Sequence, residues 1–219
     1  MRGLFLVMAV MPLIAACGAI PNSAERAPLR RSTTVYNPNP QVQACLANLG
    51  KTNASFTPLP DAYYGAGCST LGTVRLASLR SDDARLQISN LGAVTCPLAQ
   101  TFSAWARFGA DRAARQILGS PLVRIETMGS YNCRNVAGSD RRSAHATANA
   151  IDVSGFELAD GHRISVLGNW AAGSDAERRF LTLAFASACK RFGTVLGPGY
   201  NPAHRNHLHL ELSAKTFCR

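Results

Sequence analysis

Seven cysteines, none of them in a C-x-x-C pair, constrain this chain more than any other feature. Cys17 ends an apolar N-terminal run, and the other six, Cys45, Cys68, Cys96, Cys133, Cys189 and Cys218, are scattered over the remaining length of the chain. The run itself, MRGLFLVMAVMPLIAA over residues 1–16, carries Arg2 and then about a dozen apolar residues. That is too short to span a bilayer comfortably and reads as a secretory signal peptide. In an exported chain an even set of cysteines argues for disulfides, since the compartment is oxidising. The missing C-x-x-C argues against a cysteine-ligated zinc. Of the 15 pairings open to six cysteines, the sequence-local one is the expectation: Cys45 with Cys68, Cys96 with Cys133, and Cys189 with Cys218.

The junction Leu13-Ile14-Ala15-Ala16-Cys17 resembles a bacterial lipobox, in which small residues precede a cysteine that is lipidated and becomes the new N-terminus. Cys17 is then the lipidation site, which also accounts for the odd cysteine. Gly18 after it fits sorting to the outer rather than the inner membrane. The alternative is a plain signal peptide with an incidental Cys17. Residues 17–41, rich in Pro, Asn, Ser and Arg and without apolar periodicity, read either as a flexible tether or as an arm packed on the domain. As a tether they would reach roughly 25–30 Å. The expected location is the periplasm, on a membrane through the lipid anchor. The formal net charge of +10 favours acidic partners. Anionic lipid and the carboxylates of peptidoglycan suit an exported chain; nucleic acid does not, and no lysine-rich run or aromatic-basic alternation argues for it.

The folded domain is expected over residues 42–219, long enough for one substantial core. VQACLANL reads as a helix ending at Gly50, and TVRLASL and ARLQIS as strands that can pair. From Pro97 to about Leu118, Leu98, Phe102, Trp105 and Phe108 recur at helical spacing, with Gly119 as the stop and Gly109 as a weak middle. LVRIET alternates as a strand into GSYNCR. AIDVSGFEL and HRISVLG flank Asp160-Gly161, a hairpin signal. Ser174 to Arg191 is a second helix, with Ser174 or Asp175 as N-cap, Phe180, Leu181, Leu183, Ala184 and Ala188 inward, and Gly193 closing it. TVLG and HLHLEL are strands around the loop PGYNPAHRN. Hairpins in place of regular βαβ alternation predict an α+β fold: a small, mainly antiparallel sheet flanked by helices.

Four of the five histidines fall in two short stretches, His145 in SAHATANAID and His204, His207 and His209 in AHRNHLHLEL. Alternate strand residues share a face, so His207 and His209 project together while Leu208 and Leu210 turn inward. In AIDVS, Ile151 and Val153 take the apolar face and leave Asp152 on the other. His145, Asp152 and His209 would offer two imidazoles and a carboxylate, the open three-ligand set of a catalytic Zn2+. On spacing alone, Asp152 can equally cap a turn and the H-x-H can be an exposed polar face. His162 beside the Asp-Gly turn reads as hairpin surface. Glu211 shares the face of His209 and either orients its imidazole or ends the strand in solvent. His204 either touches substrate or is plain surface, and Trp170 and Tyr200 either line a cleft or pack.

The stretches GSYNCRN, SAHATANAIDVSGFELADG, FGTVLGPGYNPAHRNHLHLEL and the terminal CR resemble the bacterial extensin-like C-terminal domain family. Through the H-x6-D and H-x-H pairs that family is similar to zinc D-alanyl-D-alanine carboxypeptidases, murein endopeptidases and hedgehog domains. The resemblance covers about residues 42–219. It implies a hedgehog/DD-peptidase-like fold, with zinc on His145, Asp152 and His209 and with His207 as base or transition-state stabiliser. Arg134, behind Ser130 and Tyr131, then stabilises an oxyanion or clamps a substrate carboxylate, its other reading being a surface salt bridge. The implied activity is a zinc peptidase on peptidoglycan peptides, at D-Ala-containing bonds. The rival is a cell-wall-binding lipoprotein with a structural or vestigial zinc, and a metal-free wall protein is a third. The chain departs from the family pattern SEHAxGNAID at Ala144 and Ala148. Where many carboxypeptidases carry a glutamate three residues before the last ligand, it has Asn206.

Overall fold

Asn39 starts the first helix: its side chain accepts a hydrogen bond from the Val42 amide at 3.0 Å, and Pro40 fills the first turn, where its missing N–H costs nothing. The computed structural model describes residues 39–219. The signal peptide (1–16), the lipobox Cys17 and the tether as far as residue 38 lie outside the described residues. The last positions assigned to the tether, Pro40 and Gln41, form the opening of helix α1 (Pro40–Lys51), which runs through Gly50 instead of stopping there.

A meander comes next: β1 (Ser55–Pro58), the short hairpin β2 (Ala62–Gly65) and β3 (Cys68–Thr70), then β4 (Thr73–Arg80), β5 (Arg85–Ser89) and β6 (Ala93–Thr95). The long helical stretch is α2 (Cys96–Trp105), a π-helical turn (Ala106–Asp111) and α3 (Arg112–Leu118), closed by left-handed Gly119. After β7 (Leu122–Gly129), a long loop leads through a 3-10 turn (Ala144–Thr147) into β8 (Ala150–Leu158) and β9 (Arg163–Ser165). The short α4 (Val166–Asn169) precedes α5 (Asp175–Cys189). Then β10 (Thr194–Leu196), a 3-10 turn (Pro202–His204), β11 (Leu208–Glu211) and β12 (Phe217–Cys218) complete the chain.

Ten strands make one mixed sheet in the order β1-β4-β5-β7-β8-β11-β10-β12, with β6 beside β4 and β9 beside β8; β2 and β3 pair separately. Only β5–β7 and β10–β12 are parallel. The fold is therefore α+β and mainly antiparallel, as expected, but the sheet is larger than the small one predicted. Its helices cover one apolar layer: Trp105 packs against Phe156 of β8 and donates its indole N–H to the Ala184 carbonyl of α5 at 3.0 Å. A register break between β7 and β8 around Ser154 lets Phe156 join Ile151 and Val153 in that core.

Two of the three expected disulfide pairs are corrected. The bonds are Cys45–Cys96, Cys68–Cys133 and Cys189–Cys218, so only the last follows the sequence-local rule. Cys45 lies on α1 and Cys96 opens α2, two helices that pack on each other across the intervening meander. The inward assignments of Phe108 and Leu183 are also corrected, both side chains being exposed, at 45 % and 41 %. A π-helical turn adds a residue to the helical repeat and swings Phe108 away from the stripe of Leu98, Phe102 and Trp105.

Candidate metal centre

The antiparallel register of β8 and β11 sets Asp152 directly opposite His209, with Ile151 opposite Leu210 and Val153 opposite Leu208. The apolar partners face the core and the polar pair faces away, as strand alternation requires. His145 reaches the same place from the 3-10 turn before β8, which ends at Ala148 in the left-handed region (φ 53°). The chain bends sharply at Ala148 to bring His145 over Asp152, in a conformation that residues with a Cβ adopt uncommonly. Asp152 is buried at 8 % exposure, His145 at 2 % and His209 at 6 %. One donor atom from each lies within 4.8 Å of the others, so the group can hold a metal ion.

Hydrogen bonds on the far side of each imidazole fix which nitrogen is free. His145 Nδ1 is 2.6 Å from the Ser130 carbonyl, which can only accept, so the proton sits on Nδ1 and the Nε2 lone pair faces inward. His209 Nε2 lies 3.3 Å from Glu211 Oε2, which in the same way turns its Nδ1 inward. The inward atoms then crowd one another: His145 Nε2 is 3.2 Å from both His209 Nδ1 and Asp152 Oδ2, and His209 Nδ1 is 2.9 Å from Asp152 Oδ1. Lone pairs aimed at each other need a cation or a proton between them. Burial opposes ionisation of Asp152, but the neighbouring imidazoles, His145 and then His209, outweigh it and hold the carboxyl far below its usual range. Burial likewise opposes charge on His209, yet Asp152 and then Glu211 raise its pKa to about 9. Without an ion, the centre keeps a proton in the metal's place.

His207 and His204 border this centre. His207 Nε2 is 3.5 Å from Asp152 Oδ1, while its Nδ1 donates to Asn206 Oδ1 at 2.9 Å. Burial lowers its pKa, so it is neutral at pH 7 with Nε2 open to a proton. Asn206 thus orients the neighbouring imidazole. His204 packs between Tyr200, met edge-on at a ring separation of 5.5 Å, and His207, tilted at 5.1 Å, and burial followed by the nearby His207 depresses its pKa to about 4. Arg134 is exposed and near enough for its charge to depress both imidazoles. It forms no ion pair among the described residues. Tyr131 stacks on Tyr64 with ring centres 5.1 Å apart.

The structure therefore brings His145, Asp152, His209, His207, Glu211 and His204 together and leaves Arg134 and Tyr131 at the rim. His162 pairs with Glu177 at 2.9 Å on the surface, as expected of hairpin surface, and Trp170 packs on Phe185. Two contributors escaped the sequence. The Ser130 partner is a backbone carbonyl, which carries no side-chain signal, and Tyr64 stands far away in sequence on β2. A cleft of about 470 Å3 between α3 and α5, lined by Ile117, Thr182 and Leu183, contains none of these residues. Converging donors, not cavity size, mark the site.

An α+β domain in which Asp152 and His209 on adjacent antiparallel strands meet His145 from the preceding 3-10 turn, all three buried, is the class that fold and site define. Residues 43–219 match the family described as Extensin-like protein C-terminus, and the chain belongs to that family. No curated protein and no solved structure matches it.

Proposed function

We propose that the chain is a zinc-dependent peptidase acting on peptidoglycan peptides, at D-Ala-containing bonds, in the cell envelope. The single observation that supports this is the inward convergence of His145 Nε2, His209 Nδ1 and the Asp152 carboxylate, with each imidazole oriented by a partner outside the cluster. Two imidazoles and one carboxylate are a donor set suited to zinc, which His145, Asp152 and His209 would hold. Bound there, zinc would supply Lewis acidity toward a carbonyl and make water acidic enough to serve as nucleophile near neutral pH. His207, neutral and with Nε2 facing Asp152, takes up a proton from the attacking water and returns it to the leaving amine. Arg134, exposed at the rim with no carboxylate partner among the described residues, clamps a substrate carboxylate or steadies developing negative charge. Tyr131 and His204 contact the substrate. In this reading Cys17 carries lipid, anchoring the domain to the periplasmic face of a membrane, the outer one by Gly18, with peptidoglycan within reach of the tether.

The test has two parts. Metal analysis of the purified protein should find about one zinc per chain in wild type and little in His209→Ala; equal zinc in both overturns the ligand assignment. Purified muropeptides incubated with wild type should release D-Ala or lose cross-links, and His207→Ala should slow this by at least about a hundredfold. Asn206 in place of an acidic base favours one other reading, a non-catalytic wall-binding lipoprotein. Wild type that binds zinc and sacculi yet leaves every peptide intact would establish it.

A further inference from the structure

Tyr64 and Tyr131 hold two aromatic rings at the rim of the metal centre, and the core makes no use of them. Tyr64 is 56 % exposed and Tyr131 half-buried; their centroids are 5.1 Å apart with planes inclined by 36°. Exposed rings on a two-stranded hairpin would ordinarily move, because such a hairpin has little stability of its own. Here the hairpin is fixed at several points. Cys68 of β3 is bonded to Cys133, two residues beyond Tyr131. Arg142 donates to the Ala66 carbonyl at the hairpin tip and to Asn135 Oδ1 at 2.8 Å. The Tyr64 hydroxyl lies 3.3 Å from Thr70 Oγ1 on the paired strand. Preorganising rings that stay in solvent does nothing for folding, but it lowers the entropy cost of binding something flat to them.

We propose that the Tyr64–Tyr131 face is a saccharide platform that receives a pyranose ring of the glycan strand while the attached peptide lies over the metal centre. This rests on the peptidoglycan reading above. A pyranose presents an apolar C–H face about the size of a phenol ring, and its slightly positive C–H bonds meet the electron-rich face of an aromatic. Its hydroxyls and any acetamide lie around the edge and need hydrogen-bonding partners. Exposed Asn132 and Arg134 follow Tyr131 closely and supply donors there. A proline-rich peptide fits less well, because recognition of that helix needs aromatic ridges with a groove between them, and rings in contact leave no groove. Placement also agrees: Tyr131 adjoins Ser130, whose carbonyl orients His145, and the Asn132 amide donates to the His145 carbonyl at 3.0 Å. A sugar on the platform and a peptide at the metal would thus be joined over a short distance, as they are in peptidoglycan. Tyr63, exposed and in contact with neither ring, takes no part.

The probe is a peptide-free tetramer of β-1,4-linked N-acetylglucosamine, titrated calorimetrically into the full chain, once with zinc and once with chelator. Wild type should bind it in both conditions. Tyr64→Ala and Tyr131→Ala should each weaken binding about tenfold, the size expected for one lost ring stack. Tyr64→Phe should bind within about twofold of wild type, which separates stacking from loss of the fold. Zinc uptake by Tyr64→Ala should match wild type. Wild type that ignores the tetramer overturns the platform, whatever its zinc content. So does binding that survives both alanine substitutions, or binding of a proline-rich peptide in the tetramer's stead. If the tetramer binds but the protein takes up no zinc and cleaves no peptide, the platform stands and the peptidase reading fails.

Discussion

His209 concentrates the chemistry of the centre in one side chain. Its pKa of about 9 arises against burial, from the Asp152 carboxylate first and Glu211 second. A group whose folded pKa lies above its ordinary 6.5 stabilises the fold fully below that value and loses the contribution as pH rises through about 9. Asp152 runs the other way: its contribution is present above the ordinary 3.8 and fades only in strong acid. For these two groups the metal-free domain is best served between about pH 4 and 6.5. Zinc needs the neutral imidazole, so its uptake at pH 7 to 8 must expel the His209 proton. Zinc affinity should therefore rise about tenfold per pH unit up to about pH 9. Calorimetry in two buffers of different protonation enthalpy should show about one proton released per zinc; release of none would mean that His209 is not a ligand. At this scale the sequence was legible where side chains repeat with strand period. His209 between Leu208 and Leu210 on β11, and Asp152 between Ile151 and Val153 on β8, follow from alternation alone; His207 stands just before β11. Which nitrogen each histidine presents was not legible, because Ser130 acts through its carbonyl and the Glu211 contact depends on strand twist.

Strand and hairpin signals carried through to the structure better than the interior of the long helix. Asp160-Gly161 does join β8 to β9, and Ser174 caps α5 in a reciprocal box with Glu177. The stretch from Pro97 to Leu118 was legible as helix at both ends, but its π-helical turn was not, since helical spacing assumes an unbroken repeat. Gly109 sits inside that turn, and its role is close packing: a Cβ there would stand 2.9 Å from Trp105 Cδ1 and 2.3 Å from Ser187 Oγ of α5. The serine hydroxyl can rotate, whereas the indole is wholly buried and held by its bond to Ala184. Gly193 likewise closes no helix, as the sequence suggested it would; a Cβ on it would lie 2.0 Å from the Ser213 carbonyl oxygen. Gly109→Ala should lower stability by about 1–3 kcal/mol, the usual cost of overpacking. Urea unfolding followed by tryptophan fluorescence measures this, and an unchanged midpoint would show that α2 and α5 separate freely.

Across the whole domain, the disulfides divide the labour between stability and site. Local pairing failed as an expectation because spatial neighbours in a meander are often far apart in sequence: the Cys45–Cys96 and Cys68–Cys133 bonds span 51 and 65 residues. By chain entropy these two constrain the unfolded state almost equally, each by about 4 kcal/mol and within about 0.2 kcal/mol of one another. They differ in what they hold. Cys45–Cys96 joins α1 to α2 behind the core, whereas Cys68–Cys133 fastens the β2–β3 hairpin to the loop that carries Ser130, Tyr131 and Arg134. Replacing both cysteines of either pair by alanine should thus lower stability by similar amounts, with Cys45–Cys96 costing somewhat more because its sulfurs pack in the core. The site should respond unequally. At a temperature where both variants are folded, loss of Cys68–Cys133 should weaken zinc binding at least about tenfold and speed amide exchange over residues 130–143, because His145 loses the carbonyl that fixes its proton. Loss of Cys45–Cys96 should leave zinc affinity within about twofold of wild type, since the partners that orient the ligands come from Ser130 and Glu211 and not from the helices this bond joins. Equal loss of zinc binding in the two variants would mean that the centre depends on overall stability alone, and that the bond beside it does not position His145.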